Sequence, residues 1–152
     1  MTDTAASDFS AESIRNLLGR KRQEKEEERR LYEAKMKAER DKLRAAFMER
    51  EVQPEAIERV AAVVWKAIEA GDKEALLFRF PSDWLPDQGR SITNHESNWH
   101  AHLDGFAKRA YDYYERELEP RGFQLRVQIL DWPGGMPGDV GFFIQWKHSE
   151  EL

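Results

Sequence analysis

Two stretches near the end of the chain alternate strictly between apolar and polar residues. Phe123, Leu125, Val127 and Ile129 are separated by Gln124, Arg126 and Gln128, the period-two pattern of a strand with one buried face. Val140, Phe142, Ile144 and Trp146 alternate in the same way with Gly141, Phe143, Gln145 and Lys147. Between them, Pro133-Gly134-Gly135-Met136-Pro137-Gly138 predicts the connection of a hairpin. A hairpin alone buries too little surface to be stable, so other segments must cover its apolar side.

Upstream segments carry helical spacing. Ile57, Val60, Ala61, Val64 and Ile68 form one apolar stripe, with Pro54 opening the helix and Gly71 just past its end. Leu76, Phe78 and Phe80 then point one way and Leu77 and Arg79 the other, a strand that Pro81 stops. Ser82 to Thr93 reads as an irregular connection rich in Asp, Pro and Gly. Thr93-x-x-Glu96 matches a capping box, which predicts a helix carrying Trp99, Leu103, Phe106, Ala110, Tyr113 or Tyr114, and Leu118. Glu119-Pro120-Arg121-Gly122 terminates it.

The N-terminal third has another texture. Ser10 is placed to cap a helix, and Ile14, Leu17 and Leu18 form a short apolar patch. Gly19 to Arg30 contains no hydrophobic residue, yet opposite charges stand four apart at Arg22–Glu26, Glu26–Arg30, Arg29–Glu33, Glu33–Lys37, Lys35–Glu39 and Lys37–Asp41. Glycine and proline are absent between Arg20 and Gln53, so one long helix to about Arg50 is expected. Tyr32, Met36, Leu43 and Phe47 give it a seam that Glu39 interrupts, and the seam suits either the protein's own body or a second copy.

These elements predict an α+β fold: a disordered tail over 1–9, a charged helical arm over 10–52 with coiled-coil character, and a compact α/β domain over 53–152. The domain reads helix-strand-helix-strand-strand, a two-layer sandwich with both helices on one face of a three-stranded mixed sheet. The segment from Pro81 to Gly122 is long enough to make the first two strands parallel, and the C-terminal hairpin adds an antiparallel pair.

Charge sharpens the picture only when it is divided. Up to Val52 there are 13 Lys and Arg against 12 Asp and Glu, and after it 11 against 17. An acidic body argues against broad attraction to nucleic acid, although a local basic patch survives such an average. The absence of cysteine excludes disulfides, thiol catalysis and Cys-ligated zinc. The first 20 residues contain no apolar signal core, and no run is long enough to span a membrane. A soluble, cytoplasmic protein is the expectation.

The candidate chemistry lies on the sheet face that the helices leave open. By alternation it displays Leu77, Arg79, Gln124, Arg126, Gln128, Leu130, Trp132, Phe143, Gln145 and Lys147. Of these, Arg79, Gln124, Arg126, Gln128, Phe143, Gln145 and Lys147 are the expected partner-binding set. Exposed apolar residues there favour a protein partner. Cations interleaved with aromatics also suit single-stranded RNA or DNA, the alternative reading. Asp131, Trp132, Gly134, Gly135, Met136 and Asp139 are the expected contacts of the hairpin loop, where glycine amides suit an anion and carboxylates a hard cation.

A second alternative is a hydrolase with a His/Asp site. His95 and His100 are five apart, which puts them on different sides of a helix, whereas His100 and Asp104 share one. Asp83, Asp87, Arg90, Asp131 and Asp139 are positioned to converge with His95 at one end of the sheet. Neither the histidine spacing nor the loop fits a metal-ligand or phosphate-loop motif, so no cofactor, metal or catalytic residue is assigned. The expected function is a non-enzymatic interaction or adaptor protein, with the helix as spacer or self-association arm.

Overall fold

The charged stretch folds into one helix. The computed structural model describes residues 9–146, so the tail expected over 1–9, apart from Phe9, and Lys147 lie outside the described residues. Helix α1 spans Ala11–Glu49, and the chain divides into two units between Arg44 and Ala45.

In the first unit, Ser10 Oγ accepts from the Ser13 N–H at 3.0 Å, the expected cap. Of the expected ion pairs, Arg29–Glu33 and Lys37–Asp41 form at 4.0 and 3.8 Å. Glu26–Arg29 at 2.8 Å and Glu27–Arg30 are three apart instead. All these side chains are more than half exposed, so solvent screens each pair and it contributes little to stability. The apolar residues Ile14, Leu17, Leu18, Leu31, Tyr32 and Leu43 are exposed along this helix.

The second unit takes in the last turn of α1. Phe47 is buried there, its ring centroid 4.8 Å from that of Phe80 and 5.0 Å from that of Trp84. The helix ends where Arg109 donates to the carbonyls of Met48 at 2.8 Å and Arg50 at 2.9 Å, satisfying acceptors a helix C-terminus leaves open. Helix α2, Ala56–Glu69, buries Val64 and Ala67 and half-buries Ile57 and Val60. Its stripe is narrower than expected: Ala61 and Ile68 are exposed.

Strands β1 (Glu74–Pro81), β2 (Gln124–Ile129) and β3 (Asp139–Gln145) form the sheet. The fold is the expected α+β, but the sheet is not mixed. Its order is β1-β3-β2 and both pairings are antiparallel. β3 has the most deeply buried side chains, Val140, Phe142 and Ile144 at 0–1% exposure, and takes the centre. The long connection therefore skips a strand, leaving room for the hairpin to fold back between its neighbours.

β1 also departs from strict alternation. Leu76 pairs with Phe143 and Phe78 with Phe142, so Leu77 is an extra residue, a β-bulge. Leu77 consequently turns to the core and Leu76 to the open face, the reverse of the expected assignment.

The expected capping box at Thr93 and Glu96 does not form. Arg90–Thr93 is a single helical turn and Trp99–His102 a 3-10 turn. The helix proper, α3, starts at Gly105, with the Asp104 carboxylate accepting the Gly105 N–H at 2.8 Å. Gly105 decides the position, for it has φ +58° and a Cβ there would lie 2.9 Å from the Cα of Met48. α3 runs Gly105–Tyr113 and continues as a π turn over Tyr114–Leu118. Four residues overshoot a full α-turn by about 40°, so the inward ladder Phe106, Ala110, Tyr114, Leu118 would drift off the sheet. The wider turn returns Tyr114 and Leu118 to it, at 9% and 1% exposure.

Candidate functional site

Three rows of side chains cross the open face of the sheet. Glu74, Gln145 and Gln124 form the first row. Leu76, Phe143 and Arg126 form the second, and Arg79, Gly141 and Gln128 the third. Arg126 reaches from β2 over the Phe143 ring, its Cζ 4.2 Å from the centroid, to Glu74 on β1. Its Nε and Nη2 donate to the two Glu74 oxygens at 2.9 and 2.6 Å, a bidentate pair spanning the sheet. Gln145 Nε2 donates to Glu74 at 2.9 Å, and Arg126 also donates to Gln128. Leu130 lies over Gly141, where a Cβ would meet its side chain at 2.7 Å.

Of the expected partner-binding set, Arg79, Gln124, Arg126, Gln128, Phe143 and Gln145 share this face, and the structure adds Glu74, which organises them. Glu74 was missed because the sequence does not show that β1 pairs with β3 in a register placing it opposite Gln145. Arg79 is similarly engaged, its Nε donating to Asp139 at 2.9 Å with Asp131 4.0 Å away. Each arginine of the described face therefore has a carboxylate partner, and the face carries little net charge.

The hairpin loop is pinned from within. Leu130 donates to the Asp139 carbonyl at 2.7 Å and Gly138 to that of Asp131 at 2.9 Å. Asp131 Oδ1 accepts the Asp139 N–H at 2.7 Å. Asp131 and Asp139 thereby close the loop and hold Arg79 instead of facing a cation. Gly134 and Gly135 have φ of +61° and +81°, the left-handed region that glycine tolerates. Trp132 and Met136 are 50% and 66% exposed at the loop.

The two loops come together at one end of the sheet. Ser82 N donates to the Gly138 carbonyl at 3.0 Å and its hydroxyl to that of Pro137 at 3.1 Å. Asp83, Asp87, Arg90, Met136 and Asp139 line a hollow of about 600 Å³. Asp87 is occupied, accepting the Gly89 N–H at 3.0 Å and the Ser91 N–H and hydroxyl at 3.0 and 2.7 Å. Burial opposes its ionisation, but these hydrogen bonds and the nearby His102 prevail and hold its pKa below the ordinary value.

The hydrolase constellation is not assembled. His95 lines a separate hollow with Glu96 and Trp99. His100 stacks on Tyr111, centroids 5.0 Å apart, and sits in the 3-10 turn, so the expected helical pair with Asp104 does not form. Asp104 caps α3 instead. No three His, Asp or Glu side chains converge as a metal site would require among the described residues.

Comparison with family models, with curated proteins and with solved structures finds no match. No described helix is long and apolar enough to cross a membrane.

Proposed function

We propose that the chain is a protein-interaction module whose body docks a protein partner on the open sheet face, with α1 as its spacer or self-association arm. The observation that carries this reading is the Glu74–Arg126 pair over Phe143. A neutralised arginine lying on an aromatic ring, beside the 39% exposed Leu76, is the Arg-and-aromatic composition of protein hot spots. The same pair counts against the nucleic-acid alternative, for a phosphate would have to displace a bidentate carboxylate.

The test uses the full chain. A photo-crosslinking residue at Leu76 should capture one protein species, while the same residue at Trp65, exposed on α2, should not. Binding of that protein, once purified, should weaken by at least about tenfold in Leu76→Arg. Equal capture from both positions and an unaffected Leu76→Arg would defeat the reading. Oligonucleotide binding that falls steeply with salt and vanishes in Arg126→Glu would replace it with the alternative.

A further inference from the structure

The side of the sheet under the helices holds a cleft that the docking reading does not use. The core falls into two clusters, one around Phe80 and Phe142 and the other around Leu118 and Ile144. The bulge places Leu77 and Phe78 side by side on the inner face, Leu77 toward the second cluster and Phe78 toward the first. At the seam lies a cavity of about 150 Å³. Leu77, Leu125 and Phe142 form its floor, with Val60, Phe106 and Leu118 as walls. A dry apolar cavity of about 150 Å³ admits a benzene ring.

The rim is charged, and its charges are not equivalent. Arg50, Glu51 and Arg59 border the cleft. Glu51 pairs with Arg109 at 3.5 Å and Arg59 with Glu55 at 3.6 Å. The Arg50 guanidinium lies over the Phe106 ring, Cζ 4.1 Å from the centroid, and no carboxylate pairs with it among the described residues. A ring-sized apolar cavity whose mouth carries a guanidinium that no described carboxylate pairs with matches a molecule of the complementary shape and charge. Burial, with Glu117 beside Tyr113 and Glu119 beside Tyr114, holds both tyrosines above their ordinary pKa, so the cleft wall presents neutral phenols.

We propose that this cleft is a binding site for a small aryl carboxylate, its ring seated between the two core clusters and its carboxylate on Arg50. The site is on the opposite side of the sheet from the docking face and stands independently of it.

Phenylacetate is the probe, and side-chain methyl spectra of the full chain are the readout. Phenylacetate should perturb the methyls of Val60, Leu77, Leu118 and Leu125, and the neutral isostere phenylacetamide should bind at least about tenfold more weakly. Arg50→Gln should reduce phenylacetate to the level of the amide without changing the amide. Val63→Trp, at an exposed position on the cleft rim, should block both ligands while far-ultraviolet circular dichroism stays unchanged. The proposal is overturned by silence of those methyls at about 10 mM phenylacetate, or by equal affinity for acid and amide. A peptide ending in phenylalanine that binds more tightly than phenylacetate would overturn it in favour of a protein terminus.

Discussion

A Cβ at Gly138 would fall 2.0 Å from Asp131 Oδ1, the oxygen that accepts the Asp139 N–H. Gly138→Ala must therefore expel the carboxylate that closes the loop, at a cost of about 1–3 kcal/mol in urea unfolding. In Asp131→Ala the nearest obstacle is removed and Pro133 Cδ, at 2.9 Å, is what remains, so adding Gly138→Ala should cost less than it does alone. Asp87 gives a prediction in pH. Its folded pKa lies below the unfolded value of about 3.9, so its stabilisation is complete above that value and disappears as pH falls through the folded one. Asp87→Asn should lower stability by about 1–3 kcal/mol at neutral pH. The gap from the wild type should close in acid, which denaturant titrations across that range will show.

Among the elements, α1 should be insensitive to loss of a single ion pair. Glu26→Gln should leave the urea-unfolding midpoint unchanged within error, because both partners are 64% exposed. The π turn of α3 should be sensitive, since Tyr114 donates from its hydroxyl to the Phe123 carbonyl at 3.0 Å and so ties the turn to the start of β2. Tyr114→Phe should cost about 1 kcal/mol by thermal unfolding. The long helix, the hairpin and α2 were legible in the sequence because each rests on a local period or a local pairing of charges. The bulge at Leu77 was not, since an inserted residue is seen only against its partner strand. Gly105 hid the true start of α3, because what it accommodates is the distant backbone of Met48. Among the site residues, alternation found Arg126, Phe143 and Gln145, whereas Glu74 and Arg50 acquire their roles only through contacts far along the chain.

Across the whole molecule, the β1-β3-β2 order sets the folding route. β2 and β3 are joined by a short loop, whereas β1 must find β3 across about 60 residues, and closing so long a loop is slow. The hairpin should therefore form first. In stopped-flow kinetics, Val127→Ala should slow folding, and Leu77→Ala, on β1, should mainly speed unfolding. The reverse partition would show that β1 is already docked in the rate-limiting step. The two readings of function divide along the same sheet, with a protein partner on one side and a small anion on the other.

The misfit at Leu77 has one more effect. β1 is a border of the sheet, and a border with an irregular repeat is a poor template for a foreign strand. Copies of this chain are thereby discouraged from zipping together on that flank.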